Sequence, residues 1–542
     1  MTRLSVLDTA FLRMESTRTP MHVGGLMTFK RPPNAPQDYL HRLTEALRAH
    51  PFMPTPFDQS LHWPAAHALP PQWVPTETDP EYHVRHSALP YPGGERELGV
   101  LVSRLHSHAL DFDRPLWECH IIEGLENDRF ALYLKAHHCA IDGMGAMKLV
   151  KSWLTADPAD PRSPGELRAA LRTAREASAH RQDVTQARNL QEMLRGVVSR
   201  GKLQAGNARD LAATFYRLSR GGDNSAIRAA LRTPDTPFNV PITGQRRLGT
   251  QVLSLPRLQA IASATDTTIN DIALSLCGAA TRRYLQELGE LPERSLTASV
   301  PIGLPRTDGR SGNAVSGFVC PIGSDIPDPL HRLQRIHATT QRTKDEMLGM
   351  ASTALERFGM FGIAPLMLGQ LTGTLPKWPP LFNVVVSNVV AAKERLYMMG
   401  AELESIYPMS VLFDGYALNM TLVGYADKVT VGYIGCRNAI PSLQRLAVYT
   451  GEALDELEAA LEPTHQRRAP SKTATKATKA TKAAKTAKTA KTAKTAKKTG
   501  SKAAKSARKA VKKTVKKAAS KTARKSAAKK SARKSAAKKT QS

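Results

Sequence analysis

Apolar residues at helical spacing mark Tyr39 to His50, where Leu40, Leu43 and Leu47 share a face. Leu98, Leu101, Leu105 and Leu110 mark a second helix from Leu98 to Leu110. From Trp117 to Leu125 and from Arg129 to His138 the pattern shortens to a two-residue alternation. That predicts two strands joined by a turn at Glu126, Asn127 and Asp128. In the second strand Phe130, Leu132, Leu134 and Ala136 share a face, and the period of two adds His138 to them. His137 falls on the opposite face with Tyr133 and Lys135. A helix from Ala146 to Leu154 follows. Later, helices are expected from Leu255 to Ala264, Asp271 to Leu285 and Leu443 to Leu461. Strands are expected from Leu296 to Pro301, Val315 to Ile322, Phe382 to Val390, Ser410 to Leu418 and Lys428 to Cys436. The chain reads as α/β.

Punctuation divides it. Residues 1–157 form one α/β body, closed by Asp157-Pro158 and Asp160-Pro161. Residues 158–235 are rich in Ala, Arg and Gln and poor in large apolar side chains, which suits a helical crossover linker ended by Thr233-Pro-Asp-Thr-Pro237. Residues 236–462 form a second α/β body. From 463 the composition collapses into Thr-Ala-Lys triplets and the echoed Lys525-Ser-Ala-Ala-Lys-Lys530 and Lys534-Ser-Ala-Ala-Lys-Lys539. With no aromatic residue it cannot bury enough surface to fold alone, so 463–542 is expected to be a disordered basic tail.

Charge sharpens this division. Of 77 Lys+Arg, 29 lie in 463–542, which holds no Asp or Glu, so the net charge of +30 is almost all tail. The first 462 residues carry 48 basic and 47 acidic groups. Polyanion binding, to DNA or an anionic membrane, is therefore expected of the tail alone. No run of about 18 uncharged apolar residues predicts a spanning helix. Arg3, Asp8 and Arg13 interrupt any secretory apolar region, and the five cysteines never form a CxxC pair. Both features point to a reducing cytoplasm and away from zinc.

The chemistry concentrates in His137-His138-Cys139-Ala140-Ile141-Asp142-Gly143-Met144-Gly145. Adjacent strand histidines point apart, which disfavours a shared metal. On an apolar face His138 stays neutral and can take a proton from a hydroxyl. A lone histidine there is more often a packed core residue. The neighbouring Asp142, able to brace the turn or pair with an arginine, and the permissive Gly143 and Gly145 raise the catalytic reading.

The segment resembles the HHxxxDG signature of the acyl-CoA-dependent acyltransferase superfamily, which includes chloramphenicol acetyltransferase and peptide-synthetase condensation domains. Its flanks resemble the bacterial wax ester synthase/diacylglycerol acyltransferase family. The matching stretches run in order: Leu4-Ser-Val-Leu-Asp-Thr-Ala-Phe11, Pro20-Met-His-Val-Gly24, Asp113-Arg-Pro-Leu-Trp-Glu118, Pro237-Phe-Asn239, Ile269-Asn-Asp271, Gly312-Asn313, Asn383-Val-Val-Val-Ser-Asn388 and Gly415-Tyr-Ala-Leu-Asn419. After Ser387-Asn388-Val389 this chain has Val390-Ala-Ala where the family has Pro-Gly-Pro.

The resemblance implies two chloramphenicol-acetyltransferase-like lobes around a central channel. It implies transfer of a fatty acyl group from acyl-CoA to diacylglycerol or a long-chain alcohol, with no metal and no cofactor beyond that substrate. It makes His138 the proton acceptor, His137, Asp142 and Gly143 its support, and Asn270 a candidate substrate residue against a plain helix-cap role. It places the enzyme in the cytoplasm, peripheral to the inner membrane or to lipid inclusions. The alternatives are a condensation-type enzyme using carrier-protein thioesters and a non-catalytic granule- or nucleoid-binding protein.

Overall fold

The computed structural model describes residues 2–49, 52–64, 70–179, 232–303, 315–348 and 365–461. Most of the expected crossover (180–231) and the basic tail lie outside the described residues. Met1–Glu462 forms one compact unit.

That unit is built on two six-stranded sheets. In the first, the hydrogen-bonded order is Tyr397–Met398, Ala401–Met409, His22–Lys30, Arg129–His137, Trp117–Leu125 and Val84–Ala88. All neighbours are antiparallel except the last pair. The second runs Val315–Pro321, Thr297–Gly303, Val384–Ala392, Leu418–Tyr425, Lys428–Cys436 and Arg246–Ser254. There Val384–Ala392 is parallel to both neighbours. A small third sheet joins Thr2–Arg3, Gln72–Pro75 and Gln59–His62.

Strand Ala401–Met409 belongs by sequence to the C-terminal half, yet it pairs with His22–Lys30 of the N-terminal sheet. It also leans on the other sheet. A Cβ at Gly432 would lie 2.0 Å from the Pro408 carbonyl oxygen, so only glycine permits that approach. Helix Glu95–Ser107 ties the lobes from the opposite direction: Ser103 Oγ accepts the Leu248 N–H at 2.9 Å and Ser107 Oγ the Arg246 N–H at 2.8 Å.

Several expected boundaries move, each for a local reason. The helix expected from Leu98 starts at Glu95, because Glu97 caps the Gly94 N–H, and stops at Ser107. Leu110 instead packs with Leu4, Leu12, Trp73, Leu116 and Cys139. The helix expected at Ala146 starts at Gly143 under the Asp142 cap. Of the strand expected from Ser410 to Leu418 only Leu418 is strand, the first residue of Leu418–Tyr425; 410–417 is a connection, turned by Gly415 at φ +84° and held by Asp414, which accepts the Ile242 N–H at 3.0 Å. Strands His22–Lys30, Arg246–Ser254 and Ala401–Met409 escape the sequence reading. With valine and alanines in place of Pro-Gly-Pro, strand Val384–Ala392 continues through that stretch, its register with Leu418–Tyr425 shifting between Val390 and Ala392.

Candidate active site

Strand Arg129–His137, an interior strand of the first sheet, delivers the motif at its C-terminal end and stops one residue earlier than expected. The Ala140 N–H closes a turn on the His137 carbonyl at 3.0 Å. His138 stands in that turn, its N–H on the Met21 carbonyl at 2.9 Å. Its direction is therefore set by the turn, and the strand-face argument holds only as far as His137. The His138 ring stacks on Phe11, with centroids 4.2 Å apart and planes 12° from parallel. Burial lowers its pKa below the ordinary histidine value of 6.5, aided by His137 and opposed by its backbone contact and by Asp142 and Asp8. The imidazole is accordingly neutral at pH 7.

His137 does different work. It is fully buried, and its Nδ1 accepts the Cys139 N–H at 3.1 Å. The ring proton is thereby placed on Nε2, which faces Glu15 Oε2 at 3.2 Å. The same carboxylate oxygen accepts the Met21 N–H, and the Met21 carbonyl holds His138. Glu15 thus fastens both histidines at once: one through its ring, the other through the backbone. Sequence reasoning passed over Glu15 and Phe11. Glu15 is the single acidic residue between Asp8 and Asp38, but nothing local pairs it with a histidine 122 positions away.

Asp142 is a helix cap. Its Oδ1 accepts the Gly145 N–H at 2.6 Å at the head of helix Gly143–Lys151. Among the described residues no arginine pairs with it. Neither Gly143 nor Gly145 takes a left-handed φ, so the turn does not demand glycine for its backbone. At Gly145 a Cβ would press on Asp142 Oδ1 and Ile141 Cγ1, each at 3.1 Å. At Gly143 the space is open. Glycine there leaves the helix head, beside His138 in the chain, bare.

Asn270 is the second residue of helix Ile269–Leu288 and takes no part in its cap. Thr268 and Asp271 form the capping box. Asp271 is buried and further bound by His337 Nδ1 at 2.8 Å and Thr340 Oγ1 at 2.6 Å. Among the described contacts none joins Asn270 to the His138 loop. Leu116 and Trp117 are core: Trp117 Nε1 donates to the Phe57 carbonyl at 2.9 Å, and its ring stacks on His83. Asn419 is buried and accepts from Thr421 Oγ1 at 2.9 Å, a bracing role, whereas Asn388 is exposed. Cys139, beside His138, is buried with its thiol pKa pushed up by desolvation, which makes it a poor nucleophile. Among the described residues no three His, Cys, Asp or Glu side chains stand where they could hold one metal ion.

Two interlocked α/β lobes, with a histidine pair and a capping aspartate at a strand-to-helix turn, define the two-lobed, chloramphenicol-acetyltransferase-like class of acyltransferase. The chain belongs, within that class, to the wax ester synthase/diacylglycerol acyltransferase family. The model of the family's catalytic domain matches residues 4–273 and that of its C-terminal domain residues 311–458. A Mycobacterium tuberculosis protein and a Mycobacterium bovis protein, each carrying an assigned name of diacylglycerol O-acyltransferase, are 50% identical over 461 residues, 85% of this chain and 99% of theirs. The solved wax ester synthase/diacylglycerol acyltransferase from Marinobacter aquaeolei VT8 superposes with TM-score 0.66 at 35% identity, over 85% of this chain and 100% of that one. The trichothecene 15-O-acetyltransferase of Fusarium sporotrichioides, with TM-score 0.53 at 12% identity over 85% of this chain and 94% of its own, shares the fold. The chain is an acyl-CoA-dependent acyltransferase.

Proposed function

We propose that this enzyme esterifies diacylglycerol, and long-chain alcohols in its place, with His138 as general base. The supporting observation is the neutral His138 imidazole, desolvated against Phe11 and with its backbone N–H fixed on the Met21 carbonyl. His138 takes the proton of the acceptor hydroxyl while the oxygen attacks the thioester carbonyl. The tetrahedral intermediate expels CoA thiolate, and the imidazolium returns the proton to that sulfur. Atoms and charge balance without a covalent acyl-enzyme. A single positioned base supplies roughly 10²–10⁴ in rate, and juxtaposing both substrates adds to it. Asp142 and Gly143 shape the loop and carry no proton. The family resemblance offers Asn270 as a candidate donor to the oxyanion.

The enzyme works at the surface of the cytoplasmic membrane or of lipid inclusions, in contact through its tail with anionic lipid or DNA. Among the described residues no helix is long and apolar enough to cross a membrane. Product analysis with one acyl-CoA and a mixture of diacylglycerol and fatty alcohol tests the assignment. Triacylglycerol and wax ester are expected, and both vanish in His138→Ala. Acylation only from an acyl-carrier protein would favour the condensation-type reading instead.

A further inference from the structure

A second feature stands apart from the histidine loop. Helical residues 365–371 turn at Gly373, φ +67°, into the short 3₁₀ helix Leu375–Lys377. The hairpin is tight: a Cβ at Gly369 would meet Leu375 at 2.9 Å. Its inner side chains Leu366 and Leu375 pack with Phe382 and Tyr416. Its outer side chains do not. Leu368 is 56% exposed, Leu371 45% and Trp378 37%. Between residues 365 and 381 the only charged side chain is Lys377, which is exposed between them. Exposed leucines, an indole and one cation, with no carboxylate, match the transition from acyl chain to anionic headgroup.

The face also leads inward. Met367 packs on a cluster of Met14, Met21 and Val411, on which Phe11 and Phe413 close. Phe11 is the residue stacked on His138. Gln370 Nε2 pins the hairpin to Thr19 Oγ1 at 2.9 Å. A run of apolar contacts therefore joins Met367, beside Leu368 in the chain, to the His138 ring.

We propose that Leu368, Leu371, Lys377 and Trp378 form the face by which the enzyme docks on a lipid surface, with the hairpin set over the route to His138. This rests on the lipid acceptor proposed above. The test reads binding without turnover. The full chain is mixed with phosphatidylcholine vesicles containing diacylglycerol, with part of the phosphatidylcholine brominated in its acyl chains. Salt is held near 1 M, where the screening length is about 3 Å and the basic tail is silenced. Trp73, Trp117 and Trp153 are buried and Trp63 half-buried, so Trp378 is the indole best placed for quenching. Quenching is expected with the wild-type chain and largely lost in Trp378→Phe. Leu368→Ser with Leu371→Ser should weaken partition roughly tenfold or more while the melting temperature holds. Unquenched wild-type protein, or equal partition by the folded double variant, overturns the proposal. So does self-association that the same substitutions abolish in protein that ignores vesicles, since the face then meets a second copy. A chain that docks through this face and makes no ester would sink the acceptor assignment while leaving the surface standing.

Discussion

Phe11 lies flat on His138, 4.2 Å between ring centroids, and shields one face of the imidazole from water. Since burial is the largest influence holding the His138 pKa below 6.5, the acid limb of kcat/KM should lie below that value, with a plateau at pH 7. Phe11→Ser admits water to the ring and should move the limb upward toward 6.5. A pH–rate profile in saturating acyl-CoA measures it. An unmoved limb in a folded, active variant would show that Phe11 does not tune this base.

His138→Ala should reduce CoA release by about 10²–10⁴ with an unchanged melting temperature. The strand-face argument expects His137→Ala to hurt less, but the structure gives His137 a buried Glu15 partner and the Cys139 N–H. The loss expected there is of stability and loop order. Glu15→Ala should act likewise, because it strands two donors at about 1–3 kcal/mol each. Glu15→Gln keeps an acceptor oxygen and should recover much of both. If Glu15→Gln is as inactive as His138→Ala yet melts normally, the carboxylate takes part in the chemistry.

Asp142→Ala removes a helix cap worth about 0.5–2 kcal/mol and should lower activity through the loop. Asp142→Ser restores a capping oxygen without the charge. Recovery in the serine variant, read by kcat and thermal melt together, separates capping from electrostatics. A folded but dead serine variant would refute the structural assignment.

Acid should destabilise the fold from the histidines first. Burial drives His22 and His106 well below 6.5, and lowers His83, His120 and His138. The unfolded chain binds these protons from about 6.5 downward, while the folded chain resists until its own lower values. Stability present above about 6.5 is thus lost as pH falls below it. Glu118 stays out of that window: burial raises its carboxyl, but His120, Lys135 and Arg85 outweigh this and hold it at about 2. Urea midpoints at descending pH should fall through this range. A rising midpoint contradicts the sign.

Deleting residues 466–542 should leave specific activity on dispersed substrate near that of the full chain and abolish DNA retention at low salt. Neutralising roughly six to ten phosphates suffices for strong, salt-steep binding, and the segment from 463 supplies 29 cations. Lost activity with retained DNA binding would reverse both halves.

Periodicity alone was enough for the paired strands Trp117–Leu125 and Arg129–His137 and for helices Tyr39–Ala49 and Leu443–Leu461. Each helix buries one regular face, a regularity written locally, and the two strands, though buried on both faces, still show the two-residue alternation. The ordered motifs named the family for the same reason: chemistry at a strand-to-helix turn needs its residues close in sequence. Tertiary structure alone decided the rest. The alternation in Ala401–Met409 says nothing of which sheet it joins, because its partner His22–Lys30 lies some 370 to 385 residues away. A pleat's period predicts a direction for His138 only while the strand lasts, and the turn after His137 ends it. Glu15 carries no local signature, and Phe11 only its place at the end of a family-like stretch. They become parts of the site because the first helix, Val6–Met14, and its C-terminal flank fold against a loop some 120 residues downstream, where an acid meets a buried imidazole and an apolar ring covers the base.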